Sequence, residues 1–326
     1  MAGPPDLIHY PDTRPGITRR RAGRGFSYIA PDGTRIDDAG ERARLAALAV
    51  PPAYEDVWMC PLPRGHLQAT GRDARARKQY RYHEDWTAFR ARRKYDDLAR
   101  FGTALPAIRR RIARDLNGAA GERDTAIAAI LAMIDRLSLR IGNRDYTEEN
   151  GSYGATTLRH RHLKLTDQGM KLDYKAKGGK RVRRDLRDKR LARVLHELDD
   201  LGGATLVSWV DADGAVHEVT SSAVNERLAE MAGQDGFTAK TFRTWNGTAA
   251  AMEVALREEA PTIAAMAEAA AERLGNTPAI ARTSYIHPDV IALTERDLAE
   301  RQKLAERGGD MRGLRVAERG VLGVLG

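Results

Sequence analysis

The sequence predicts an α+β protein: a small β-rich N-terminal domain over residues 1–90, a larger mainly α-helical domain with β-hairpins over 91–307, and a loose tail over 308–326. Three observations carry this prediction. Before residue 90 the apolar stretches are short and divided by proline and glycine turn signals, as in strands and hairpins. From Trp86 onward apolar residues recur at helical spacing, as in Ile127, Ile130, Leu131, Ile134 and Leu137. Between about Thr156 and Arg184 that period gives way to strand-like segments around Gly178-Gly179, a pair suited to a two-residue hairpin turn.

In chain order, Phe26–Ile29 and Asp56–Met59 read as strands, set between turns at Pro31-Asp-Gly33, Pro51-Pro52 and Arg64-Gly65. One helix is expected over Asp38–Leu48. The helix carrying Ile127–Leu137 has Arg140 at its far end and Gly142 as its stop. Leu172–Lys177 and Lys180–Arg183 flank the glycine pair, which puts Lys177 at a hairpin tip. A second hairpin is expected over Thr205–Thr220, turning through Asp211-Ala-Asp-Gly214. Helices then follow through Val224, Leu228 and Met231 to Gly233, over Thr248–Glu259, and from Pro261 to Leu274 with Gly275 as the stop. Thr277-Pro278 supplies the cap and first turn of a short helix ending at Tyr285, and Asp289–Arg307 reads as one amphipathic helix.

Composition narrows the function. The chain has 326 residues, of which 42% are hydrophobic and 30% charged, enough apolar material for cores in about two domains. The formal net charge of +9 favours a polyanionic partner, most simply nucleic acid. Cys60 is the single cysteine, which rules out an internal disulfide and a thiolate metal site; it reads as a buried thiol at a strand end. No apolar run approaches the ~18 residues of a membrane span. The N-terminus lacks the basic-then-apolar layout of a secretory signal, so a cytoplasmic protein is expected.

The chemistry concentrates in Lys240-Thr-Phe-Arg243-Thr-Trp245, with Asn276 33 residues after Arg243 and Tyr285 nine residues further on. With Arg140 and Lys177 upstream, these residues can surround a phosphate with cations, one amide and one tyrosine. A phenol is a poor nucleophile at pH 7, because its reference pKa of about 10 leaves only about a thousandth ionised. Neighbouring cations lower that pKa, hold a phosphodiester and spread the charge of its transition state. The plainer readings are structural: Arg140 as a cation at a helix C-terminus, Lys177 as a solvated basic turn, Asn276 as part of the Gly275 helix terminus. Arg159-His-Arg-His162 lacks carboxylate or thiolate company and reads as a solvated or polyanion-facing strand. There is no Gly-x-x-x-x-Gly-Lys-[Ser/Thr] loop and no Asp/Glu set for two-metal chemistry.

These segments, in this order and at these separations, resemble the small type IB DNA topoisomerases of poxviruses and bacteria, over about residues 17–305. Arg140-Ile-Gly-Asn-Arg-Asp-Tyr146 matches the family's first-arginine segment, and Lys177 matches the lysine of its β-hairpin. Lys240-Thr-Phe-Arg243-Thr-Trp245 matches the second-arginine segment, and Gly275-Asn-Thr277 precedes Tyr285 as the family's glycine-led segment precedes its nucleophile. Where the poxvirus-like enzymes carry histidine this chain has Asn276, which can donate a hydrogen bond but cannot carry a proton.

The resemblance implies a clamp around duplex DNA and catalytic roles for Tyr285, Arg140, Lys177, Arg243 and Asn276. It also implies a DNA-binding set. Arg72, Arg77, Lys78, Gln79, Tyr80 and Tyr82 come from the basic-aromatic stretch Gln68–Tyr82, joined by Asn143, Tyr146 and Lys240. The implied reaction is a transient nick held as a 3′-phosphotyrosyl ester, relaxing supercoils of both signs by a monomer associated with the nucleoid, without cofactor, ATP or obligatory metal. Two other readings compete. Tyrosine recombinases share the chemistry but usually carry His-x-x-Arg where Lys240 precedes Arg243, and have a helical N-terminal domain. A non-enzymatic DNA-binding protein accounts for the charge but leaves the ordered set ending at Tyr285 to coincidence.

Overall fold

The computed structural model describes residues 6–166 and 169–326, the side chains of residues 91–94, 96 and 146 excepted. The chain divides into two compact units, Met1–Asp96 and Asp97–Gly326. The division thus falls after Asp96, beyond the boundary expected at residue 90.

The first unit is an antiparallel sheet with two helices. Its strands are β1 (Ile17–Ala22), β2 (Gly25–Ile29), β3 (Glu55–Met59), β4 (Leu67–Arg72) and β5 (Lys78–Tyr82), ordered β2-β1-β3-β4-β5. Helix α1 (Ala39–Ala47) begins where expected, because Asp38 accepts a hydrogen bond from Glu41 N at 2.7 Å and satisfies a first-turn donor. Helix α2 (Glu84–Asp96) follows β5. One face of the sheet buries Ile17, Tyr28, Val57, Met59 and Ala69 with Leu45 of α1. Cys60 is buried, and burial pushes its thiol pKa up, as for an inert core cysteine.

The second unit is mainly helical. It opens with α3 (Leu98–Asp115), α4 (Arg123–Leu137) and α5 (Arg144–Asn150). A three-stranded meander of β6 (Leu163–Thr166), β7 (Gly169–Lys175) and β8 (Arg181–Leu186) follows. Next come α6 (Lys189–Asp199), the hairpin β9 (Ser208–Val210) and β10 (Val216–Glu218), and α7 (Ser221–Ala232). The remaining helices are α8 (Ala239–Arg257), α9 (Ile263–Leu274), α10 (Pro278–Tyr285), α11 (Pro288–Ile291), α12 (Leu298–Glu306) and α13 (Val316–Leu325). Helix α4 is the core: every residue from Thr125 to Asp135 is buried, as expected of a helix apolar on all sides. Phe101 of α3 meets Phe242 and Trp245 of α8 edge to face, with ring centroids 5.0 and 6.0 Å apart. Among the described residues no helix is long and apolar enough to cross a membrane.

Several boundaries differ from the sequence reading. Helix α4 stops at Leu137, and Arg140 lies in the segment beyond it rather than at its end. The stop is Ser138, held in the left-handed region at φ 55°, rather than Gly142. Asn246 of α8 offsets the cost of that conformation by donating to Ser138 Oγ at 3.0 Å and to Asp135 O at 2.9 Å. Helix α8 starts at Ala239 instead of Thr248, because Thr238 and Thr241 form a capping box and the β-prone Phe242 and Trp245 pack on α3.

The turn between β7 and β8 has three residues, Lys177–Gly179, not two. Ala176 pairs with Lys180, and Gly178 and Gly179 both take φ near +78°. His160–His162 forms a 3₁₀ turn rather than a strand, with His160 bonded to Asp199 and to Gly203 O. The single helix expected over Asp289–Arg307 is broken; Asp297 caps a new start by accepting from Glu300 N at 2.8 Å. The expected loose tail instead folds into α13, whose Glu318, Val321 and Leu322 are buried.

Candidate active site

Three helix ends and one helix flank bring four of the sequence-predicted residues together. Tyr285 is the last residue of α10, and Arg243 lies in the first half of α8. Asn276 sits in the link between α9 and α10. Gly275, at φ 64°, ends α9, and Asn276 N donates to Ala271 O at 3.0 Å. Thr277 then caps α10 by accepting from Ile280 N at 3.4 Å. Asn276 is therefore fixed from both sides and is buried.

The two arginines converge on its amide oxygen. Arg140 Nη2 donates to Asn276 Oδ1, and Arg243 Nη2 reaches the same atom at 3.4 Å. Arg243 also donates through Nη1 to Ser138 O and through Nη2 to Leu274 O at 3.0 Å. Those carbonyls lie at the C-terminal ends of α4 and α9, where the helix dipoles favour a cation. With Oδ1 taken by the arginines, the other end of the amide is left as donor. Asn276 Nδ2 and Arg243 Nε are buried with no hydrogen-bond partner among the described residues.

These arginines differ from those that serve the core. Arg109 and Arg227 are held by carboxylates: Arg109 by Asp135 at 2.9 Å and Glu318 at 2.7 Å, Arg227 by Asp115 at 2.7 Å. Arg140 and Arg243 are instead bonded to carbonyl and amide oxygens, which position a guanidinium without neutralising it. Burial first, and Arg140 second, draws the Arg243 pKa down to about 10, so it stays charged at neutral pH. Among the described residues no ion pair joins either guanidinium to a carboxylate, an arrangement suited to an anion.

Tyr285 lies beneath this charge, its ring centroid 5.2 Å from the Arg243 guanidinium carbon. Burial pushes the phenol pKa up. The charge and hydrogen bond of Arg243, followed by the charges of Arg140 and Lys240, outweigh burial and bring the pKa below its ordinary value. Tyr174 of β7 feels Arg243 and Arg140 as well, but its deeper burial wins and its pKa is raised. Of these two tyrosines, the one at the end of α10 has the lowered pKa. Lys240 is exposed on α8, one turn before Arg243, and acts on Tyr285 through its charge.

Lys177 is exposed in the β7–β8 turn. Lys180, three residues on, donates to Asn276 O at 2.8 Å. A cleft of about 400 Å³ runs from there past Arg181, Arg183 and Arg184 to Gly275 and Asn276. Asn143 is exposed just before α5; Tyr146 falls within α5, and its side chain lies outside the described residues.

Within the first unit, the remaining predicted residues lie at one sheet edge. Among the described residues strand β5 pairs with β4 alone, and Tyr80 and Tyr82 share one face, 50% and 42% exposed, with their rings stacked 6.1 Å apart. They point outward instead of packing on the domain. The polar members already have partners: Arg72 with Asp56 at 3.3 Å, Arg77 with Asp73 at 2.7 Å, Lys78 with Asp12 at 2.5 Å, and Gln79 with Asp73 at 3.0 Å. All three ion pairs have a half-exposed cation and are therefore weak.

Sequence reasoning missed Ser138, Tyr174, Lys180 and Thr248. Ser138 and Thr248 carry no motif, and only their hydrogen bonds to Arg243 and Tyr285 reveal them. Lys180 stood in the glycine-rich turn as a second lysine, a signal that was present.

Residues 83–300 match the family described as eukaryotic DNA topoisomerase I, catalytic core, and residues 25–73 match bacterial DNA topoisomerase IB, N-terminal domain. DNA topoisomerase 1B of Acanthamoeba polyphaga mimivirus is 28% identical over 286 residues, covering 83% of this chain and 85% of the viral one. DNA topoisomerase 1B of vaccinia virus is 22% identical over 255 residues, covering 74% and 76%. DNA topoisomerase 1 of Mycosarcoma maydis is 26% identical over 176 residues, covering 48% of this chain and 17% of the fungal one. The chain belongs to the type IB DNA topoisomerases, enzymes that cleave and religate DNA.

Proposed function

We propose that this chain nicks one strand of duplex DNA through Tyr285, holds the broken end as a 3′-phosphotyrosyl ester, and reseals it after strand rotation. The observation that carries this reading is a tyrosine with a lowered pKa beside two buried or half-buried arginines that no carboxylate pairs with among the described residues. Arg140, Arg243 and Asn276 surround the scissile phosphate, with Asn276 Nδ2 donating to a nonbridging oxygen. Tyr285 Oη, its pKa lowered by the neighbouring cations, releases its proton to solvent and attacks phosphorus. The new Oη–P bond forms as the bond from phosphorus to the 5′ oxygen breaks, and Lys177 protonates the departing oxygen. Resealing is the reverse.

One phosphodiester is exchanged for another of similar energy, so the cycle needs no ATP, and the three site cations take the role a metal otherwise plays. While the ester lasts, torsion of either sign relaxes. In this reading the protein acts as a monomer whose two units close on the duplex. Tyr80, Tyr82 and Gln79 reach base edges, while Arg72, Arg77, Lys78, Asn143, Tyr146 and Lys240 hold the backbone.

A supercoiled plasmid with no special site tests the reaction. Relaxation by substoichiometric protein without ATP and in excess chelator is expected, and exchange confined to particular sites points instead to a recombinase. Two variants test the roles. Lys177→Ala should cleave slowly on ordinary DNA and recover on DNA with a 5′-bridging sulfur, since a thiolate leaves without its proton; an equal defect on both substrates removes Lys177 as general acid. Asn276→His keeps a donor and should remain active, while Asn276→Ala should lose about 10²–10³-fold in single-turnover cleavage. Cleavage by Asn276→Ala at the parent rate contradicts the role given to the amide.

A further inference from the structure

Helix α8 supplies more than Arg243. One turn after it stand Gly247 and Thr248, both buried, directly against the end of α10. Thr248 Oγ donates to Tyr285 O at 3.1 Å and accepts from His287 N at 3.1 Å. The chain leaves helical geometry at Ile286, with φ −107° and ψ 131°, so the last carbonyl of α10 and the amide beyond it lack intrahelical partners. A single hydroxyl, being both donor and acceptor, satisfies the two. Thr248 is fully buried, so water has no access to replace it.

Gly247 sets the distance. A Cβ at that position would stand 2.9 Å from Tyr285 O, 3.1 Å from Tyr285 Cβ and 2.9 Å from Leu274 Cδ1. Two of the three obstacles are the backbone and Cβ of Tyr285 itself, so any side chain at position 247 drives the tyrosine away from α8. Arg243 and Gly247, four residues apart, lie on the same helix face. One rigid helix therefore carries both the cation above the Tyr285 ring and the surface on which the Tyr285 backbone rests.

We infer that Gly247 and Thr248 are positioning residues that hold Tyr285 in register with Arg243. The inference rests on Tyr285 being the nucleophile. Their contribution is geometric, because a displacement of about 1 Å at a reacting centre costs on the order of 10²-fold in rate. Neither residue takes part in the chemistry or touches DNA in this account.

The test is single-turnover cleavage of a defined duplex by Thr248→Val, Thr248→Ser and Gly247→Ala, with noncovalent affinity and melting temperature measured alongside. Thr248→Val keeps the shape of threonine and loses the hydroxyl; cleavage and resealing should both fall about 10–100-fold while affinity stays unchanged. Thr248→Ser restores the hydroxyl and should recover to within about threefold of the parent rate. Gly247→Ala should show the Thr248→Val defect in both directions. Loosening Tyr285 from Arg243 should also shift the rising limb of the cleavage pH profile to higher pH in Thr248→Val, which a stability defect alone does not do. If Thr248→Val does not fold, Thr248→Cys replaces it, with a weak S–H donor and an expected rate between those of serine and valine variants. Parent-like rates in Thr248→Val or Thr248→Cys overturn the inference, as does a loss that serine fails to restore. Tyr285→Phe, run in parallel, separates the two readings: an adduct in that variant removes the nucleophile assignment, whereas its absence beside parent-like Thr248 variants removes only the positioning role.

Discussion

Tyr285→Phe should bind duplex DNA as the parent does and form no covalent adduct. Phenylalanine retains the ring that packs 5.2 Å beneath Arg243, so the cation and its carbonyl supports stay in place. Only the oxygen is lost, and with it the group that the proposed reaction turns into the ester. Relaxation should fall to the level of DNA without enzyme, a larger effect than removal of any single charge-stabilising donor, which typically costs about 10²–10³-fold. Denaturing the reaction rapidly and separating free from protein-bound DNA measures this. An adduct that survives in Tyr285→Phe identifies another nucleophile.

The second large effect is on stability and involves a region distant from the chemistry. Glu318 of α13 is fully buried and bonded to Arg109 at 2.7 Å, Arg315 at 2.8 Å and Trp245 Nε1 at 3.2 Å. Arg109 continues to Asp135 of α4 at 2.9 Å, whose carbonyl oxygen accepts from Asn246 of α8 at 2.9 Å. Helix α13 is thereby tied to the helix that carries Arg243. Glu318→Gln leaves Arg109 short of one charge in a site only 22% exposed, and breaking one partner of such a buried pair costs about 3–5 kcal/mol. For a domain of this size that lowers Tm by on the order of 10 °C.

Burial raises the Glu318 pKa, but Arg109 and Arg315 more than reverse this and hold it well below the usual carboxylate range. The stabilisation from Glu318 is therefore complete above its ordinary value of 4.5 and is lost only as pH falls below it. Thermal melting at pH 7 and at pH 3 should show a large gap between parent and Glu318→Gln at the first and a smaller one at the second. Equal Tm values at pH 7 mean that α13 is not the strut described.

The same network shows where the sequence was legible and where it was not. The start of the helix at about Asp38, the Gly275 stop and the Thr277-Pro278 start were readable because each is a local contest between side chain and backbone. Ser138 was not, since nothing near it in sequence reveals that Asn246 stabilises its left-handed turn from another helix. The first half of α8 was hidden for a similar reason: Thr241, Phe242 and Thr244 are indifferent helix formers, and packing on α3 decides their conformation. The tail looked loose because its glycines and short apolar stretch give no sign of a buried glutamate 209 residues away from its arginine partner.

The site followed the opposite pattern. Its residue types and order were visible as motifs, while the sharing of Asn276 Oδ1 by two arginines was a matter of three-dimensional arrangement alone. That sharing also gives the histidine-to-asparagine difference its meaning. Asn276 is held with its oxygen toward the arginines and its amide hydrogens free to donate, a role requiring no titratable proton.

The most direct measurement traps the protein on a nicked duplex with denaturant, digests the DNA and the protein, and locates the nucleotide-bearing residue by mass spectrometry. The account predicts a single modified peptide with the phosphate on Tyr285, joined to the 3′ end of the cleaved strand and leaving a 5′-hydroxyl. Attachment to a 5′ end, or to any residue other than Tyr285, contradicts it.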